Sequence, residues 1–112
     1  MDDRRARELL AAERARIEEA LREAAIEPND ELSTTEMADD ATDTYQNEFD
    51  QGRMDDLRDR LAAVARAEER LREGTYGRSV ESGKPIPDER LEVNPTAERT
   101  VEEEEALRRR GG

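Results

Sequence analysis

The sequence predicts a mostly α protein in which a long antiparallel coiled-coil helical hairpin is followed by a knuckle and a short C-terminal helix. Three observations predict it. Residues 39–72, about thirty-four in all, contain no proline and are rich in Ala, Leu, Arg, Glu and Asp. Apolar residues recur at seven-residue spacing in two separate segments. Glycine and proline are concentrated between residues 74 and 95. Composition agrees: 45% of the residues are charged and 33% hydrophobic, with one Phe, two Tyr and no Trp, so apolar matter must be buried in thin seams. Such a composition also suits a disordered chain, but acidic tails lack the ordered heptad-like spacing found here.

The first helix is expected over Met1 to Ile26. Asp2 and Asp3 favour its N-terminus. Leu10, Ile17 and Ala24 repeat every seven residues, and Ala6, Leu21 and Ala25 widen the stripe. Glu27-Pro28-Asn29-Asp30 should end it, because the residue before proline is pushed out of the helical region. A polar connection of about ten residues follows, in which Ser33 and Glu36 could form a capping box. The second helix then begins near Thr34 or at Asp39 and runs to Arg72.

Leu57, Leu61, Val64 and Leu71 give the second helix a seam, with Glu68 at the remaining seam position. Asp56 with Arg60 and Glu68 with Arg72 are acid-first pairs four apart. At about 1.5 Å per residue this helix would reach roughly 50 Å and overhang the first. Gly52 lies inside it at a cost of about 1 kcal/mol relative to Ala, with Tyr45, Phe49 and Met54 placed to close that end. Gly74 and Gly77 stop it. Arg78 to Pro95, with Gly83, Pro85, Pro87 and Pro95, should hold no helix. Thr96 is a candidate N-cap for a last helix through Arg110, with Glu98 and Glu102 to Glu105 early and Arg108, Arg109 and Arg110 late. The division expected is 1–73 for the hairpin, with an acidic tip near 30–52, and 74–112 for the globule and its C-terminal helix.

Net charge is −12. Between Asp30 and Gly52 stand eight acids (Asp30, Glu31, Glu36, Asp39, Asp40, Asp43, Glu48, Asp50) and no Lys or Arg. Such a chain offers no basic face to nucleic-acid phosphates. There is no Cys and no His, which removes disulfides, the usual zinc ligands and the commonest nucleophile and base pairs. Neighbouring carboxylates such as Asp39 and Asp40 do not face each other across a cleft, so no enzyme activity is expected. No apolar run approaches the ~20 residues of a membrane span, and a cytoplasmic location is expected.

From Gly74-Thr75-Tyr76-Gly77 through Arg-Ser-Val-Glu-Ser-Gly-Lys-Pro-Ile-Pro-Asp-Glu-Arg-Leu-Glu-Val-Asn-Pro-Thr-Ala, about 24 residues resemble the C-terminal zinc-finger signature of the DksA/TraR family of bacterial transcription regulators. Glu36, Asp39 and Ala41 fall where that family carries its Asp-x-x-Asp-x-Ala tip motif, with Glu in place of the first Asp. The four positions where the family usually has Cys are here Ser79, Ser82, Thr100 and Glu103. Neutral hydroxyls with one carboxylate are a poor zinc set, so the chain resembles a cysteine-free, zinc-less member with a degenerate zinc-finger-like knuckle and no cofactor.

The resemblance implies a regulator that binds RNA polymerase in its secondary channel and modulates initiation through the tip, without sequence-specific contact to nucleic acid. It also implies that Asn94 and Glu104 stand where basic side chains help bind guanosine tetraphosphate, so a weak or absent response is expected. The alternative is a coiled-coil adaptor or structural interaction protein with a vestigial finger. A monomer is expected, because the two seams satisfy each other and surface acids repel a second copy. The knuckle core is expected from Tyr76, Ile86, Leu91 and Val101, with Glu103 accepting hydrogen bonds from Ser79, Ser82 or Arg78.

Overall fold

The structure is a computed structural model that describes the backbone of residues 1–35 and 40–111 and the side chains of residues 1–25 and 51–111. It is mostly helical, with α1 over Asp3–Thr35, α2 over Asp40–Glu73, α3 over Asp88–Val93 and α4 over Val101–Gly111. Among the described residues there is no β-strand, and one isolated antiparallel bridge joins Arg78 to Pro85.

Two compact units are present. One comprises Met1–Glu13 with Ala63–Gly112, the other Arg14–Ala62. In the first, Ala6 and Leu10 of α1 and Val64 and Ala67 of α2 are buried. Arg7, Leu10 and Ala11 line a groove with Glu68, Leu71 and Arg72, so the start of α1 lies beside the end of α2. In the second unit, Ile17 and Leu57 are buried. Leu61, Glu68 and Leu71 are only half-buried, while Ala67 is fully enclosed. The centre of the α2 face therefore runs through 57, 64 and 67, because 3.6 residues per turn drifts from a strict heptad. Ala25, expected on the α1 stripe, is exposed.

Helix α1 does not stop at Ile26. It continues through Pro28 to Thr35, so α1 and α2 have 33 and 34 residues and the expected inequality is absent. Proline removes one backbone donor and crowds one carbonyl, a local cost of about 3 kcal/mol. Continuing the helix gains one hydrogen bond for each residue added beyond it. Ser33, Thr34 and Thr35 consequently belong to the end of α1, and the expected Ser33–Glu36 capping box lies outside the residues whose side chains are described. Tyr45, Phe49 and the expected closing contacts lie outside the residues whose side chains are described.

Helix α2 ends as its sequence indicates. Gly74, at φ 84°, adopts the left-handed conformation, and the N–H groups of Gly74 and Thr75 bond to the carbonyls of Leu71 and Arg70 at 3.3 and 2.9 Å. This is the Schellman pattern, which glycine adopts without a Cβ penalty. Near this end Arg72 pairs with Glu69.

Gly52 differs, since it sits inside α2 at an exposed position and an added Cβ would meet nothing within 4 Å. Replacing Gly52 by Ala is expected to raise stability by about 1 kcal/mol by restricting the unfolded chain. Urea unfolding checks this, and a loss of stability would mean that the helix needs glycine there.

Candidate functional site

The knuckle begins where the chain reverses after α2. Ser79 N–H bonds to the Lys84 carbonyl at 2.8 Å, Gly83 N–H to the Ser79 carbonyl at 2.9 Å, and Ile86 N–H to the Gly77 carbonyl at 2.7 Å. Inside this loop the buried Ser79 hydroxyl accepts the N–H groups of Glu81 and Ser82 at 3.0 and 3.2 Å. Short hydroxyl side chains favour such local bonds to nearby backbone.

Pro87 then starts α3. Asp88 and Glu89 lie in its first turn, Arg90 in its last, and Leu91 faces inward at 1% exposure. Residues 88–93 are thus helical, against the expectation of no helix between Arg78 and Pro95. Proline is compatible with a helix start, where its missing donor has no intrahelical partner anyway.

Leu91 packs with Ile86 and Ala97, and Met1 and Tyr76 lie against the cluster. The Tyr76 hydroxyl donates to the buried Pro95 carbonyl at 2.7 Å, and burial pushes its pKa up to about 12. Val101, expected in this core, is 44% exposed. It occupies the first position of α4 and lines an open groove with Arg90, Val93 and Asn94, while Ala97 is the buried third member of the cluster. Arg5 grips Glu92 through two nitrogens at 2.9 and 2.7 Å, fastening α1 to α3.

Helix α4 opens at Val101 rather than after Thr96. Thr100 and Glu103 form a reciprocal capping box: Glu103 N–H donates to Thr100 Oγ1 at 3.2 Å, and Thr100 N–H donates to Glu103 Oε1 at 3.0 Å. Thr96 bonds instead to the Asn94 side chain at 3.2 Å. The Thr-x-x-Glu spacing of Thr100 and Glu103 is the sequence signal for this cap.

The four expected ligand positions come together. Ser82 Oγ donates to Glu103 Oε2 at 2.5 Å and accepts Lys84 N–H at 3.2 Å. Hydrogen bonds from Ser79, from Ser82 and from the Thr100 amide hold the Glu103 carboxyl down at about 2. A carboxylate accepting several donors is favoured in its charged form. These residues do not fit zinc. Each hydroxyl is already engaged within the network, and Glu103 is the one anionic donor of the four. Arg78, the third expected partner of Glu103, donates to the Gly83 carbonyl at 3.2 Å.

Glu98, expected among the early acids of the last helix, lies before it and turns to α2. Its Oε2 accepts Arg66 Nε at 2.9 Å and Arg70 Nη1 at 3.0 Å. Burial raises its pKa, but the two guanidiniums outweigh that and leave the carboxyl below its ordinary value. No periodic signal in the sequence marks this contact, which joins residues 32 and 28 positions apart.

Of the expected tip, Glu36 and Asp39 lie outside the described residues, and Ala41 belongs to the first turn of α2. No helix among the described residues is long and apolar enough to cross a membrane.

Two long helices, a hydrogen-bonded knuckle, a one-and-a-half-turn helix and a terminal helix, in that order, constitute a DksA-like fold. The chain is similar to the transcription factor DksA2 from Pseudomonas aeruginosa, with a TM-score of 0.86 and 28% identity over 97% of this chain and 84% of that one. No family model matches the sequence, and no curated protein matches it.

Proposed function

We propose that this protein is a DksA-like transcription regulator that binds RNA polymerase through the secondary channel and modulates initiation through an acidic tip. The observation that carries this reading is the similarity in fold to a transcription factor across 97% of the chain. The knuckle text and the tip motif agree with it at the right separation. Residues 1–73 supply the antiparallel coiled-coil hairpin that reaches the polymerase interior, and residues 74–112 supply the metal-free globule that seats it. The protein acts as a cytoplasmic monomer without direct sequence-specific binding to nucleic acid, since the 30–52 region repels phosphates. Glu104 and Asn94 in place of basic residues disfavour guanosine tetraphosphate.

Glu36, Asp39 and Ala41 are the residues of the tip. Asp39 acts on the partner after docking, where its carboxylate disturbs contacts that stabilise the open complex, and the small Ala41 lets the backbone approach. A lone Asp is a weak ligand set for the catalytic magnesium. Replacing Asp39 by Asn should change stability by no more than about 0.5 kcal/mol, as surface substitutions do, keep polymerase affinity and remove the effect on promoter output. Melting, affinity and output measured separately decide this. Unchanged output favours the adaptor reading, in which the tip acids only support a helix N-terminus.

A further inference from the structure

We infer that Glu98 is a two-sided pin that sets how the knuckle sits on α2, using charge where the apolar cluster does not reach. Its two functional groups face different elements. The main-chain carbonyl accepts Val80 N–H of the knuckle loop at 2.9 Å, while the carboxylate is gripped by Arg66 and Arg70 of α2. Those arginines stand four apart and therefore share one face of the helix. The neighbouring residue repeats the arrangement. Arg99 Nε donates to Glu81 Oε2 at 2.6 Å, and its carbonyl accepts Arg90 Nε of α3 at 3.0 Å. Residues 98 and 99 thus tie α2, the knuckle loop and α3 to one short segment.

The apolar residues nearby do not duplicate this tie. Ile86, Leu91 and Ala97 form their own cluster, whereas Val80, on the loop that Glu98 holds, is half exposed. Arg70 makes the pin sensitive to loss of its charge. The side chain is 13% exposed, and its Nε and Nη2 are buried without a hydrogen-bond partner. Glu98 supplies the carboxylate that this guanidinium faces. Neutralising Glu98 leaves a buried cation without its counter-charge, a larger perturbation than opening a surface ion pair. The expected consequence is local: the knuckle loop leaves α2 while the cluster around Leu91 stays packed. Under the polymerase reading, this fixes the angle at which the globule meets its partner.

Hydrogen exchange tests the pin without any partner. In Glu98→Gln the Val80 amide should exchange at least about tenfold faster than in the wild type, as expected for loss of a charge-assisted contact. The Ile86 amide, bonded to Gly77, should change little. Arg66→Gln, which removes the more exposed partner, should give a smaller change of the same pattern in a variant that remains folded. Glu69→Gln, which opens an exposed pair on the same helix, should leave both amides unaltered. Equal acceleration at Val80 and Ile86 in Arg66→Gln and Glu98→Gln would reduce Glu98 to a general stabiliser, and unchanged Val80 exchange would overturn the pin outright. Affinity of the wild type for core polymerase, measured in parallel, tells failure of the polymerase reading from failure of the pin.

Discussion

Replacing Leu91 by Ala is expected to cost about 2–5 kcal/mol, the range for removing a buried leucine side chain and leaving a cavity. Few residues share the load. Leu91 is 1% exposed and belongs to a cluster of three buried residues, with Met1 and Tyr76 against it. Its Cδ1 also lies 3.7 Å from where a Cβ on Gly77 would be, so it supports the turn after α2 as well. A domain of this size holds only about 5–15 kcal/mol in total, so the knuckle unit of the variant should be partly unfolded near 37 °C. Val93, two residues on and 87% exposed, is the control, and Val93→Ala should stay within about 0.5 kcal/mol of the wild type. Urea unfolding followed by circular dichroism gives both values. Equal costs for the two would mean that α3 does not bury Leu91.

The second large effect is expected in acid. The Glu103 carboxyl ionises at about 2 in the folded protein, against an ordinary 4.5. The folded state therefore favours the deprotonated form, and protons bind the unfolded state first. The stabilisation is fully present above pH 4.5 and is lost as pH falls from there through about 2. Other carboxylates held low by arginines, Glu19, Glu69, Glu92 and Glu98, weaken in the same direction. The Glu103 share is the difference between the wild type and Glu103→Gln, which has no proton to gain. Glu103→Gln should be the less stable protein at neutral pH, and the gap should close as pH falls through this window. Unfolding at a series of pH values measures it. A constant gap would show that the Ser82 and Thr100 bonds do not depend on the Glu103 charge. At neutral pH neither protein should respond to a chelator, since Ser79, Ser82, Thr100 and Glu103 are not a zinc ligand set.

Much of the fold was legible because it follows from periodicity and punctuation. Helix α2 falls within a residue of the later of its two expected starts and of its expected end, Leu10, Ile17, Leu57 and Val64 are buried as their spacing requires, and Gly74 terminates α2 by a mechanism that glycine favours. Where the structure departs from the local signals, the surrounding chain outweighs them. Pro28 is a breaker by itself but lies within a longer run of helical hydrogen bonds. The three prolines around α3 argued against any helix, although Pro87 is placed to start one. Within the site, the meeting of Ser79, Ser82, Thr100 and Glu103 was readable from the resemblance together with hydroxyl and carboxylate chemistry. The Glu98 contact was not, because nothing in a linear pattern distinguishes an acid that faces two arginines about thirty residues away from one that faces water.

The most direct measurement of the proposed activity is association of the 112-residue chain with core RNA polymerase, followed by fluorescence anisotropy of a label on an exposed position such as Arg4, in the absence of promoter DNA. Saturable one-to-one binding is expected, with no binding to promoter DNA alone and no change on adding zinc or chelator. Binding to DNA but not to polymerase, or no binding to polymerase by a chain shown to be folded, would contradict it.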